Sequence, residues 1–442
     1  MKGTYKPSVA LIENRCVGCT TCIKRCPTEA IRVRSGRARI LSDLCIDCGM
    51  CIRVCRHGAK VAVTKPLDAI LATSYKVKVA LPAPSLYSQF AGNRNLNRLL
   101  TALKKIGFDE AFEVAKGAEI VTAESIRFIQ RKKQEGEEGP WISTACPAIV
   151  RLIQVRFPSL IDNLIPIIPP MEAIARMARE YFYRQGYKDE EIGIFFITPC
   201  AAKVTDVHKP QMVDKSAVTS AVALNEVYFR LLPVLKTVKE EEIEVLQMAT
   251  NQGVSWARIG GESEGLLLQD VMAVDGIENV IEVLDSLENG RIKRVEFIEA
   301  NACIGGCLGG PLAPENPFNA KARMQKVMRS NLSPQLRHIL DGIDINCYVQ
   351  KQVEPAKVLH LDEDMAKALE KMRQRDALYQ NLPQIDCGSC GAPSCEAFAQ
   401  DVVQGEANVE DCIFLLRDKV KEMAQEMVNL AAKLPPSIKE KE

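Results

Sequence analysis

No apolar stretch of this 442-residue chain reaches the ~18 residues needed to span a bilayer, so any membrane association has to come through a partner. Charge of one sign is missing too. Fifty-seven Lys and Arg against 56 Asp and Glu leave a net +1, which gives no basic footprint for nucleic acid. Only four histidines occur, His57, His208, His338 and His360, dispersed and without ligand spacing, so each reads as an isolated polar residue. The pieces Gly305-Gly306-Cys307 and Gly309-Gly310-Pro311 lack the strand-GxGxxG-helix context of a dinucleotide fold, and no P-loop is evident, so no NAD or flavin site is expected. The opening MKGTYKPSVALIENRC has no apolar core of a secretory signal, which points to the cytoplasm.

What the chain has is cysteine, seventeen in all. The first eight fall as Cys16-x2-Cys19-x2-Cys22-x3-Cys26-Pro27 and Cys45-x2-Cys48-x2-Cys51-x3-Cys55. This paired run wraps two cubane iron–sulfur clusters, with the fourth cysteine of each run crossing to the other cluster. Cys16, Cys19, Cys22 and Cys55 are therefore assigned to one 4Fe–4S cluster, and Cys45, Cys48, Cys51 and Cys26 to the other. Zinc is the alternative, but structural zinc usually takes two close pairs of ligands set well apart. Arg56 stands where proline often follows the fourth cysteine. Cluster ligands must stay as thiolates, which again favours a reducing compartment.

A further set, Cys387-x2-Cys390-x4-Cys395-x16-Cys412, forms another 4Fe–4S candidate, with four-cysteine zinc as its alternative. Ser394 is placed to cap a helix through EAFAQDVVQG, whose positive end would favour an anionic cluster beside Cys395. Cys347 stands alone and reads as a buried structural thiol. Helical stretches at Leu361–Tyr379 and Leu415–Ala432 carry many charges four apart and read as solvated or partner-facing, and the tail 435–442 reads as disordered.

Between these sets the chain alternates strand, turn and helix. Strands are expected at Lys76–Leu81, Trp141–Thr144, Ile192–Thr198 and Val295–Glu299, and helices at Asn95–Ile106 and Ile149–Arg156. Cys146, Cys200, Cys303 and Cys307 follow three of these strands, where open α/β sheets bind ligands. They should converge on one buried site.

The motifs TACP at Thr144–Pro147, TPCAAKVTD at Thr198–Asp206 and EANACIGGCLGG at Glu299–Gly310, together with Ala83-Pro84-Ser85, resemble the signatures of the iron-only hydrogenase catalytic domain. The C-terminal cysteine set is similar to a cluster domain of corrinoid iron–sulfur proteins and some membrane-linked ferredoxin oxidoreductases. The combination resembles the sensory branch of the hydrogenase family, in a form without a PAS domain. The resemblance implies an α/β fold class: an iron-only-hydrogenase-like core with mixed sheets and flanking helices over 71–350. An α+β ferredoxin-like domain would occupy 1–70, and a linker helix with a small, mainly helical iron–sulfur domain 351–442.

It also implies an H-cluster, a cubane joined through a cysteine sulfur to a two-iron unit with CO, cyanide and a bridging amine dithiolate. By motif position Cys146, Cys200, Cys303 and Cys307 would bind the cubane, and Cys307 would bridge. Lys203 matches the lysine that faces one cyanide, and Ala83, Pro84 and Ser85 match the segment around the other.

Departures from the family pattern bear on activity. Ala145 stands where active members carry a proton-passing cysteine, and a methyl group neither donates nor accepts a proton. Thr198 replaces a common methionine, Asp206 a glutamate of the outer relay, and Asn301 a methionine near the two-iron unit. In RIGGESEG, which resembles the family's glycine pair, Glu262 is a candidate substitute proton donor or else a surface carboxylate, with Asp206 a weaker candidate.

The implied activity is reversible heterolytic H2 cleavage at low turnover, suited to hydrogen or redox sensing, with electrons leaving the H-cluster in two directions. Its partners would be H2, protons, a ferredoxin or signalling protein, and hydrogenase maturation proteins. The alternatives are an iron–sulfur electron-transfer or cluster-assembly scaffold lacking the two-iron unit, and a metabolic hydrogenase coupled to another oxidoreductase.

Overall fold

The computed structural model describes residues 5–433, omitting Arg94, 332–333, Lys357, 359–360 and Glu363, so the tail 435–442 and His360 lie outside the described residues. The chain divides into two compact units. One comprises Met1–Ala10, Ile46–Arg53 and Lys60–Ala356; the other comprises Leu11–Cys45, Val54–Ala59 and Lys357–Glu442.

The first unit is built on two sheets. A four-stranded sheet runs in the order Glu110–Ala111, Val77–Pro82, Ile192–Thr198, Ser220–Ala223. A three-stranded sheet runs Val271–Asp275, Phe297–Asn301, Trp141–Ile142. The expectation of mixed sheets is corrected here. Every strand pair in these two sheets is parallel, because helices rather than hairpins carry the chain between successive strands. Ile192–Thr198 is buried at all seven positions, which is why IGIFFIT is a continuous apolar run without alternation.

Helices cover these sheets through apolar stripes. Leu96–Lys105 begins at Asn95, whose Oδ1 accepts from Arg98 N at 3.1 Å, and it buries Leu99, Leu100 and Leu103 beside Phe195 and Val222. Each such side chain contributes roughly 1.5–3 kcal/mol by leaving water. Pro147–Arg156 and Ile277–Glu288 pack around the shorter sheet. Trp141–Ile142 stops two residues short of the expected Thr144, whose Oγ1 donates to Ile167 O at 2.7 Å.

The second unit contains an antiparallel hairpin, Ile31–Arg34 with Arg37–Ile40, turned by Ser35-Gly36 at positive φ. It also holds the helices Met365–Asn381, Cys395–Val403 and Ile413–Ala432. Ser394 caps the second of these as its sequence implies, its Oγ accepting from Ala397 N at 3.1 Å. Arg32 Nε and Arg34 Nη2 both reach Asp401 Oδ2, at 2.6 and 2.5 Å, and Val33 N donates to Gly391 O at 2.7 Å.

Candidate functional site

Four segments meet at the carboxyl ends of the parallel strands. Val77–Pro82 delivers Ala83, Pro84 and Ser85, and Ala83 N donates to Ile197 O at 3.1 Å on the neighbouring strand. That strand, Ile192–Thr198, delivers Cys200 as the residue before helix Ala201–His208. In the other sheet Trp141–Ile142 leads to Cys146, and Phe297–Asn301 leads to Cys303 and Cys307. Gly306, at φ +70°, turns the last pair tightly. A Cβ there would lie 2.8 Å from Ile259 N, so only glycine lets this turn press on the 257–261 loop.

The four cysteines influence one another's charge. Burial, then the neighbouring Cys146 and Cys307 sulfurs, pushes the Cys200 thiol up to about 12, while Lys203 opposes. Burial pushes Cys307 up to about 11 and Cys303 well above its ordinary value. Thiols in that state ionise when a cation joins them, the usual chemistry of a metal-ligating donor set. Lys203 Nζ donates to Ala145 O at 3.0 Å. Ser85 is fully buried and its Oγ has no hydrogen-bond partner among the described residues, although its carbonyl accepts from Ser88 and Gln89.

Glu262 is not a surface carboxylate. It is 5% exposed, and its Oε2 accepts from Ser143 Oγ at 2.7 Å, while Ser143 Oγ in turn accepts from Ala145 N at 3.2 Å. Burial, then the charge of Glu299, pushes Glu262 up to about 8. Glu299 itself accepts from Gly260 N and Ser263 N, each at 2.9 Å, and from Asn301 Nδ2 at 3.3 Å. Burial raises its pKa as well. Asp206 is also buried, pushed up to about 6, and accepts from Gln211 N at 3.1 Å; Gln211 Nε2 ends on Pro147 O. Ser143 and Glu299 were not singled out from the sequence. Glu299 lies two residues before Asn301 on one strand, hence on the same face, which is a usable signal; nothing local marks Ser143.

The first unit also holds Cys48 and Cys51. Cys48 and Met50 pack into the same apolar cluster as Cys146 and Cys200, around Ile46, Ala148 and Ala202. Gly49 meets Pro311, where a Cβ would lie 2.5 Å from Cγ, and Arg53 is close enough to Cys303 to oppose its rise. Asp47 anchors this loop, accepting from Tyr5 OH at 2.6 Å, Thr205 Oγ1 at 2.8 Å and Val9 N at 3.0 Å.

The second unit holds Cys16, Cys19, Cys22, Cys26, Cys45 and Cys55. Cys26 Sγ and Cys55 Sγ accept from Ala30 N and Ala59 N, both at 3.2 Å, the same i to i+4 contact in each half of the repeat. In the same unit Cys387, Cys390, Cys395 and Cys412 line one cavity with Phe398 and Ile413. Among the described residues no three His, Cys, Asp or Glu side chains form a group suited to a metal ion.

The family described as iron only hydrogenase large subunit, C-terminal domain, matches residues 76–269 and 231–311. A 4Fe–4S dicluster domain family matches 8–56, and an Fe–S cluster family matches 382–414. The chain is similar to NADP-reducing hydrogenase subunit HndD of Solidesulfovibrio fructosivorans, 23% identical over 368 residues that take in 67% of this chain and 63% of that protein. It thus spans less than two thirds of that relative's length. Nuclear prelamin A recognition factor of Homo sapiens is 20% identical over 419 residues, 80% of this chain and 89% of that protein. Among solved structures, a variant of FeFe-hydrogenase HydA1 from Chlamydomonas reinhardtii overlaps with a TM-score of 0.47 at 17% identity, covering 62% of this chain and 90% of that one. The hydrogenase match extends over residues 76–311, more than half of the 442, and contains all three cysteine signatures, so the chain belongs to the iron-only hydrogenase large-subunit family, with iron–sulfur segments on either side.

Proposed function

We propose that this chain is an iron–sulfur electron-transfer protein built on the iron-only hydrogenase core. The three-part division into 1–70, 71–350 and 351–442 and the cubane ligand sets read from the sequence are part of this proposal. The observation that carries it is that Cys48 and Met50 pack on the same apolar cluster as Cys146 and Cys200, and that Arg53 of the same segment acts on Cys303, which brings a ferredoxin-type ligand loop to the core that carries the four cysteines. At the other end, the Cys387–Cys395 loop is bonded to the ferredoxin segment. Arg34 Nη1 donates to Cys390 O at 2.9 Å and Lys24 Nζ to Pro393 O at 3.2 Å. These bonds tie the C-terminal loop to the ferredoxin segment within one unit and favour electron exchange between the clusters proposed there. Removing Cys48 tests the route, since the Cys48→Ala chain should lose rapid reduction of the cubane at Cys146, Cys200, Cys303 and Cys307.

A second reading adds hydrogen turnover, and Ser85 favours it. A fully buried hydroxyl without a partner among the described residues, on a turn packed against the Gly306–Gly309 turn that carries Cys307, fits the H-cluster. Cys146, Cys200, Cys303 and Cys307 would hold it, while Lys203, Ala83, Pro84, Ser85 and Asn301 would face its diatomic ligands. When bound, that group supplies reversible heterolytic cleavage of H2. Glu262, with its pKa near 8, keeps a proton at neutral pH, and Ser143 Oγ stands between it and the Ala145 backbone. Glu299, whose charge acts on Glu262, is the neighbouring carboxylate. With a methyl group at Ala145 turnover should be slow, which suits hydrogen or redox sensing through a ferredoxin or signalling partner, after loading by maturation proteins. An infrared spectrum of anaerobically matured protein decides: CO and cyanide bands that shift under H2 support this reading. Their absence, when a control hydrogenase matures normally, leaves electron transfer or cluster-assembly scaffolding alone.

A further inference from the structure

Helix Ile413–Ala432 has no buried residue in its twenty positions. Only its start is engaged, through Phe414 and Leu415 packed on the cluster around Phe398 and Cys412. Beyond that start, where Ile413 lines the Cys387–Cys412 cavity, apolar side chains recur at Leu416, Val420, Met423, Met427 and Leu430, and all are exposed, from 43% at Leu416 to 69% at Met427. These steps alternate three and four without a break. That is the seam of a coiled coil, narrower than the stripe of a helix lying on a globular core. A helix this long, bare on every side, needs such a partner, since packing rather than propensity supplies most helical stability.

The flanks of the seam identify the occupant and its direction. Lys419 and Glu426 precede Val420 and Met427 on one flank, and Arg417, Ala424 and Ala431 line the other. In a parallel pair unlike flanks meet, so Lys419 and Glu426 would each face alanine. In an antiparallel pair like flanks meet, so Lys419 of one copy faces Glu426 of the other, twice by symmetry, and the alanines let the backbones approach. Such a contact is isologous and closes as a dimer. We propose that helix Ile413–Ala432 pairs antiparallel with the same helix of a second copy of this chain, around a twofold axis. In the single chain Lys419 Nζ bonds Glu410 at 2.5 Å, but both side chains are about half exposed, so this pair is weak and exchanges for Glu426 at little cost.

Sedimentation equilibrium of the full, cluster-loaded chain tests this. A mass of twice the 48.9 kDa monomer is expected at roughly 10 μM. Val420→Glu combined with Met423→Glu should give a monomer with unchanged cluster absorbance. Lys419→Glu alone and Glu426→Lys alone should each weaken the dimer, by about tenfold, and the two together should restore it. A wild-type monomer at roughly ten times that concentration, or a dimer that survives Val420→Glu with Met423→Glu, overturns the proposal. Single charge changes that leave the dimer constant overturn the antiparallel arrangement.

Discussion

Glu262 is a carboxyl group that the fold obliges to keep its proton. Its neighbours are Ser143 and the charge of Glu299, and burial outweighs both in setting its pKa. A folded value near 8 lies above the ordinary carboxyl value of 4.5, so the unfolded chain releases this proton first as pH rises. The stability tied to the neutral form is present below about 4.5 and is lost as pH rises through about 8. The thermal midpoint of the wild-type chain should therefore fall more steeply over that range than that of Glu262→Gln, and parallel curves would contradict the buried, protonated state. If the chain turns over hydrogen, Glu262→Gln should slow it by roughly ten- to a hundredfold, at the low end of general acid–base effects. The sequence carried Glu262 as one of two readings because burial is a property of the fold. Ser143 escaped notice for the same reason: it meets Glu262 only because residues 119 apart in the chain come together in the fold.

Among the elements, the strands were the most legible where apolar runs are longest. Ile192–Thr198 has the bounds its sequence suggests, whereas Phe297–Asn301 begins two residues later than the apolar Val295 implies. The parallel pairing was not legible, since pairing partners are set by crossovers and not by local pattern. Nor did the sequence couple the hairpin Ile31–Arg34/Arg37–Ile40 to helix Cys395–Val403. That coupling rests on Asp401, whose side chain is 7% exposed and accepts from two arginines. Asp401→Ala strands the Arg32 guanidinium in a buried place, and breaking such a pair costs about 3–5 kcal/mol. Hydrogen exchange should then quicken in 31–40 and 387–403 together. Protection unchanged in both segments would show that Asp401 does not hold them.

For the whole molecule, cysteine spacing marked the two iron–sulfur segments that the family matches also find, because ligand spacing is a local property that survives without knowledge of the fold. Which cysteine loops pack together was not legible, since that depends on the fold. Cys48 and Met50 share an apolar cluster with Cys146 and Cys200 in the first unit, and the Arg34, Val33 and Lys24 bonds hold the 390–393 loop in the second. The most direct measurement is freeze-quench electron paramagnetic resonance of the reconstituted chain mixed with reduced ferredoxin, wild type beside Cys48→Ala, each checked for iron content and helix content. In the wild type the cubane at Cys146, Cys200, Cys303 and Cys307 should be reduced promptly after the ferredoxin-segment clusters, and in Cys48→Ala its reduction should lag severalfold. Equal rates in the two proteins would contradict the route through Cys48 and with it the electron-transfer account.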